Sequence, residues 1–431
     1  KMAMPVSTEL KKYMEKICDQ ARAVNPRWAE VFHECFLNTL ETTIERLEDG
    51  TTFVVTGDIP AMWLRDSTAQ VRPYLVLAKD HEDIYDMIAG LVQRQFGYIL
   101  IDPYTNAFNQ EPNGQGHGAT DHTQMNDWIW ERKYEIDSLA YAIQLAYLLY
   151  VNSGRTDHLT ETVRKGLVTI LDLWRTEQDH EGSSPYRFVR DTDRQEDTLP
   201  FDGMGSPVGY TGMTWSGFRP SDDRCTYHYL VPSNQFASVV LGYVAELAPF
   251  LGLSQEEIQL AATLKDQIQA GIERYGIIQN AQGQAVYAYE VDGLGNASIM
   301  DDGNVPNLLS LPYLGFCSED DPIYVATRQT VLSPENPYYY SGKLASGLGS
   351  SHTWDQYIWP ISLSMEGLTT SHKAEKARIL DLLVNTDAGT NQMHESFHVD
   401  DDSRYTREWF SWSNMMFCEL LLDYFDIRVK R

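Results

Sequence analysis

The chain has 431 residues, of which 43% are hydrophobic and 12% aromatic, so it carries enough core-forming side chains for one large core or two domains and too many for a disordered polymer. Its formal net charge of -27 repels phosphate backbones and anionic lipid headgroups. Nucleic acid and membrane surfaces are therefore excluded as expected partners, and a neutral substrate is favoured.

Ten Trp and 25 Tyr exceed what the core requires and suit a pocket that stacks on the apolar faces of sugar rings. The five cysteines, Cys18, Cys35, Cys225, Cys317 and Cys418, are scattered and read as reduced thiols, without the close pairing of a zinc site or redox motif. No signal-peptide pattern opens the chain, and no apolar run approaches the roughly 18 residues of a membrane span. The bacterial cytoplasm is the expected location, and the oligomeric state is left open. Lys1 before Met2 reads as the remnant of an expression tag.

Helical periodicity recurs from end to end. In chain order it predicts helices over residues 7–24, 27–49, 67–78, 82–101, 131–150, from about 157, then 236–250, 254–275, 320–331, 353–368, 372–385 and 407–427. Ile136, Leu139, Ala140, Ile143 and Tyr147 hold one face of the 131–150 segment, and Leu145, Leu148 and Leu149 extend it, as in a helix covered on most sides. The next segment confines Leu159, Val163, Leu167, Ile170 and Trp174 to a narrower face, as in an outer helix. This alternation returns downstream, where Ser254 and Glu257 form a capping box. Alternation between wholly and half-buried helices fits two concentric rings of hairpins: an all-α, (α/α)6 toroid forming one domain over residues 5–431. Short strands are expected at 53–55, 185–189 and 286–289. The long loops 102–127, 181–228 and 279–304 are expected to line the mouth.

Three segments carry the chemistry. The stretch TGDIPAMWLRDSTAQVRPYL, from Thr56 to Leu75, sets Asp58, Trp63, Arg65 and Asp66 in and beside a loop: an apolar plate, carboxylates and one planar fork of donors, as a hydroxyl-rich ligand requires. The second segment, TWSGFRPSDDRCTYHYLVPSNQFA, places Asp222 and Asp223 after Pro220, where desolvation against aromatic surface would raise a carboxyl pKa and keep a general acid protonated. The third, NTDAGTNQMHESFHVDD, holds Glu395. It also spells H-E-x-x-H from His394 to His398, a zinc-protease signature that needs a helix to bring both histidines to one face. No apolar helical stripe passes through it. Further polar and aromatic residues interleave at Gln124 to Trp128 and at His352, Trp354, Asp355 and Trp359.

These three segments closely resemble those of glycoside hydrolase family 125, the exo-alpha-1,6-mannosidases, and the similarity extends along nearly the whole chain. The resemblance implies an inverting hydrolase of terminal alpha-1,6-linked mannose in mannosides or N-glycan fragments, acting without cofactor or metal. It carries the general acid onto Asp222, with Asp223 as fallback, and the general base onto Glu395. The expected mannose subsite comprises Arg65, Asp66, Asn126, Asp127, Asp355 and His394, with Trp63 as a wall and His352 as a further contact. Two other classes remain as alternatives: a zinc metallopeptidase using His394, Glu395, His398 and a third ligand such as Asp400, and a non-catalytic sugar-binding protein.

Overall fold

The computed structural model describes residues 2–431, so the reading of Lys1 as a tag remnant lies outside the described residues. The helices are α1 (Thr8–Val24), α2 (Pro26–Asn38), α3 (Leu64–Val71), α4 (Glu82–Ile101), α5 (Ile136–Ser153), α6 (Glu161–Glu177), α7 (His180–Ser183), α8 (Val231–Leu251), α9 (Gln255–Tyr275), α10 (Leu311–Leu314), α11 (Pro322–Val331), α12 (Pro360–Leu368), α13 (Lys373–Val384) and α14 (Ser411–Tyr424). They form the (α/α)6 architecture. The inner ring runs α3, α5, α8, α10, α12 and α14, with α14 closing back on α3; α2, α4, α6, α9, α11 and α13 cover it. Burial follows this division. Every residue of α3 is buried, as are almost all of α5 and α14, whereas α9 buries a stripe of Ala261, Leu264, Ile268, Gly271 and Ile272.

All twelve expected helices are present, but their ends move for local reasons. The segment 27–49 widens from α-helix to a π-helical turn over Thr39–Thr43 and ends there, as the β-branched Thr42, Thr43 and Ile44 disfavour helix; Ile44–Arg46 instead pairs with Thr52–Val54 around Gly50 at φ 82°. Segment 67–78 is helical from Leu64 and tightens to a 3-10 turn over Arg72–Leu77, where Pro73 lacks an amide hydrogen. Segment 353–368 becomes helical only at Pro360, since the residue before a proline is driven from the helical region. Residues 131–135 are extended before α5 begins. The short α7 falls largely within the expected loop 181–228, and the short α10 lies where no element was expected.

Small antiparallel sheets stiffen the loops. Met62–Trp63, Ala107–Phe108 and Ile129–Glu131 form one, and Tyr357–Ile358, Ser396–His398 and Asp401–Thr406 another.

Candidate active site

The N-terminal ends of the inner helices converge on a cavity of about 340 Å³, which is the size of a small-ligand pocket rather than an extended cleft. Trp63, Arg65 and Asp66 reach it from the start of α3, and Lys133 from the strand before α5. Asp222 comes from the loop before α8, and Asn304 from the loop before α10. Trp359 stands at the start of α12, while Phe410 and Trp412 stand at the start of α14. The loops 102–127, 181–228 and 279–304 contribute His117, Arg190, Asp197, Asp222 and Asn304, as expected of a mouth.

Arg65 is the hub. Its side chain is 4% exposed and meets four carboxyls: Nε lies 3.2 Å from Asp66, Nη1 lies 2.6 Å from Glu135 and 3.3 Å from Asp137, and Nη2 lies 3.2 Å from Asp222. Asp66 also accepts from Thr56 Oγ1 at 2.9 Å. A planar fork with donors on several edges holds several carboxyls in one fixed arrangement, which a lysine's rotating ammonium does not impose. Trp63 forms a buried wall, and its indole Nε1 donates to nothing in the protein.

Asp222 occupies a turn at φ 71°, a left-handed conformation unusual outside glycine that the surroundings must hold in place. They do so at several points. The Arg219 and Asp222 amides close the turn, Lys133 Nζ donates to the Asp222 carbonyl at 2.7 Å, and Asn106 Nδ2 donates to its Oδ1 at 3.2 Å. Arg219 is itself clamped by Glu290 at 2.7 and 2.8 Å.

The expectation that burial keeps Asp222 protonated is corrected. Burial does push its carboxyl up, but Arg65, a hydrogen bond from Glu135 and the charge of Lys133 together outweigh it and hold Asp222 well below the usual carboxylate range. Glu135 moves the opposite way, pushed far up by burial and by Asp222. The two carboxyls are thus driven in opposite directions, and of the two it is Glu135 that favours its protonated form.

Asp223 has a different job. It is fully buried and accepts from Arg194 at 3.0 and 3.1 Å, from Ser351 Oγ at 2.6 Å and from His352 Nδ1 at 2.9 Å. With both oxygens taken, it braces the turn and does not face the cavity. Its partner His352 does line the cavity; burial opposes the imidazolium, but Asp223 prevails and raises the ring to about 9.

Glu395 lines the cavity from the edge of the strand Ser396–His398, its carboxylate 3.5 Å from Arg407 Nη1, which in turn binds Asp58 at 2.7 Å. The H-E-x-x-H letters therefore run into a strand, not along a helix. His394 is buried behind Glu395, stacked on Tyr405 and bonded through Nδ1 to the Glu408 carbonyl at 2.9 Å, while His398 Nδ1 accepts from the Asp400 amide. Among the described residues, no group of three or more His, Cys, Asp or Glu is arranged to hold a metal ion.

Of the expected subsite residues, Trp63, Arg65, Asp66 and His352 line the cavity together with Asp222 and Glu395. Asn126, Asp127, Asp355 and His394 do not. Asn126 and Asp127 are exposed and spend their polarity on a turn, Asn126 Oδ1 accepting from the Trp128 amide at 2.9 Å. Asp355 lies in an exposed turn and accepts from Tyr340 at 3.2 Å. Sequence reasoning missed Glu131, Lys133, Glu135 and Arg407. A signal existed for the first three: a charged run directly ahead of an apolar helix has to be paired as that helix is buried.

Comparisons with known proteins give the family. The family described as "Metal-independent alpha-mannosidase (GH125)" matches residues 25–422. A solved Streptococcus pneumoniae structure is 60% identical, covers 98% of this chain and 99% of its own, and superposes with a TM-score of 0.96; it is described as a metal-independent alpha mannosidase in a non-productive complex with alpha-1,6-mannobiose. The Schizosaccharomyces pombe "Meiotically up-regulated gene 157 protein" is 39% identical over 417 residues, 92% of this chain and 82% of its own. A wild-type glycosidase at 14% identity, covering 93% of this chain and 98% of its own with a TM-score of 0.54, shares the fold. With the match running through every cavity-forming segment, the chain belongs to glycoside hydrolase family 125 and is a metal-independent alpha-mannosidase.

Proposed function

We propose that the protein removes non-reducing terminal alpha-1,6-linked mannose from mannosides and N-glycan fragments with inversion, Asp222 acting as general acid and Glu395 as general base. The observation that carries this reading is that these two carboxyls line one small cavity from different inner-helix loops, each held beside an arginine, Arg65 and Arg407 respectively. The Streptococcus pneumoniae relative supports the linkage, since it is described with alpha-1,6-mannobiose. A pocket of about 340 Å³ suits an exo-acting enzyme that admits one terminal sugar.

In this mechanism Asp222 protonates the departing glycosidic oxygen while Glu395 removes a proton from a water that attacks the anomeric carbon from the opposite face. Trp63 offers its ring face to the sugar, and Arg65 and Asp66 offer donors and acceptors to hydroxyls. The proposed site of action is the bacterial cytoplasm. Separately, among the described residues no helix is long and apolar enough to cross a membrane.

A panel of aryl glycosides and mannobioses tests the reading. Turnover is expected for alpha-mannosides, with the 1,6-linked disaccharide preferred over the 1,2, 1,3 and 1,4 isomers. Mannose binding without turnover of any member would move the non-catalytic sugar-binding reading ahead.

A further inference from the structure

Four carboxyls, those of Asp66, Glu135, Asp137 and Asp222, lie within 3.3 Å of the one guanidinium of Arg65, the first three buried with it and Asp222 opening onto the cavity. Even with Lys133 and His352 nearby, four carboxyls crowded on one guanidinium repel one another, and that repulsion favours a proton on one of them. Glu135 is the carboxyl placed to hold it. Its side chain is fully buried, Oε1 is taken by Arg65, and Oε2 is enclosed without any N–H or O–H donor from another residue, as expected if Oε2 itself carries hydrogen. Glu135 and Asp222 take the two terminal nitrogens of the same guanidinium, at 2.6 and 3.2 Å, which sets the two carboxyls side by side. Asp66 sets one oxygen 3.2 Å from Arg65 Nε and accepts from Thr56 with the other, and Asp137, whose Oδ1 also lacks a donor, meets Arg65 at the longer distance of 3.3 Å.

We propose that Glu135 is the proton partner of Asp222: it holds the acid proton before the substrate binds and passes it to Asp222 as the glycosidic oxygen arrives. The proposal rests on the reading of Asp222 as general acid. The balance is simple. The bond from the anomeric carbon to the glycosidic oxygen breaks and that oxygen takes the proton that Glu135 has passed to Asp222, leaving both carboxyls ionised. Attacking water gives its proton to Glu395, and exchange with solvent restores Glu135 and Glu395. Glu135 is thus a positioning residue acting through Asp222, and the arrangement explains how a carboxyl drawn down by Arg65 can still deliver a proton at neutral pH.

The groups facing the pair are Arg65 and Asp66 from α3, Lys133 and Asp137 on either side of Glu135, and His352 from the loop before α12. None of them replaces the proton of Glu135 at Asp222, since Arg65, Lys133 and His352 are cationic and the other carboxyls face Arg65.

Glu135→Gln keeps the shape and a hydrogen-bond donor but carries no transferable proton. It is expected to lose on the order of 100-fold in kcat/KM on alpha-1,6-mannobiose, but less than about tenfold on an aryl mannoside with a good leaving group. The alkaline limb of its pH profile is expected to move at least about one unit toward acid, because Asp222 then titrates alone beside Arg65. Glu135→Asp, which keeps a proton-bearing carboxyl, is expected to restore part of the limb and of the mannobiose activity, and it carries the test if Glu135→Gln does not fold. Equal losses on both substrates with an unmoved limb, or no recovery in folded Glu135→Asp, would overturn the proposal. Asp222→Asn run in parallel separates the two readings. If Asp222→Asn discriminates between leaving groups and the Glu135 variants do not, Glu135 alone is dismissed; if Asp222→Asn loses equally on both, the acid assignment falls first.

Discussion

The imidazole of His352 donates from Nδ1 to Oδ1 of Asp223 at 2.9 Å, tying a cavity-lining cation to the residue adjacent to Asp222. The ring is raised from an unfolded value near 6.5 to about 9, burial opposing and Asp223 prevailing. Because the folded pKa is the higher one, the stabilisation is complete below about pH 6.5 and is lost as pH climbs through about 9.

His352→Gln should therefore be less stable than the parent by on the order of 1–2 kcal/mol at pH 6, allowing for a ring that is about one-third exposed. The gap should narrow toward pH 9.5. Urea unfolding at three pH values reads it, and a gap independent of pH would show that His352 is held by packing rather than charge.

The two carboxyls that line the cavity separate by leaving group. Asp222→Ala should lose about 10²–10⁴-fold on mannobiose and far less on an activated aryl mannoside, whereas Glu395→Ala should be poor on both. Steady-state kinetics on the two substrates decides. Equal losses for Asp222→Ala would remove it as the acid, and Asp223, saturated by Arg194, Ser351 and His352, is not placed to replace it.

Inversion is tested on the product. Hydrolysis of an alpha-mannoside should release beta-mannose first, before mutarotation, because the base activates water instead of attacking the sugar. The anomeric proton followed by NMR in the first minutes shows which anomer is born. Early alpha-mannose would make Glu395 a nucleophile.

Chelation should leave activity intact. An acid and a base that are both carboxyls need no Lewis acid, and the H-E-x-x-H letters run into a strand where the two histidines serve the backbone. Turnover measured after prolonged EDTA treatment checks this. Loss restored by added zinc would favour the metallopeptidase reading.

The helices were legible because burial writes a period of 3.6 residues into sequence, and two widths of apolar stripe distinguish inner from outer rings. Leu139 to Leu149 is apolar nearly all round because α5 is covered on most sides; Leu264 and Ile268 form a stripe because α9 faces water. Trp63, Arg65 and Asp66 could be singled out because an apolar plate, a planar fork of donors and a carboxylate cluster within a few residues, and Asp222 and Glu395 through the resemblance of their segments to the family. Asn126, Asp127 and Asp355 look the same in sequence, but a polar residue that closes an exposed turn and one that faces a pocket differ only in where the chain carries them.

Local sequence determined the elements and the chemical types at the mouth, since propensity, capping and apolar period act within a few residues. The tertiary structure alone decided the protonation of the site. Residues 65, 135 and 222 are far apart in the chain, and only ring closure puts the carboxyls of Glu135 and Asp222 within 3.2 Å of the Arg65 guanidinium in a place with little water. There the mutual interaction exceeds each group's intrinsic preference, so Asp222 is drawn down in spite of burial while Glu135 is pushed up.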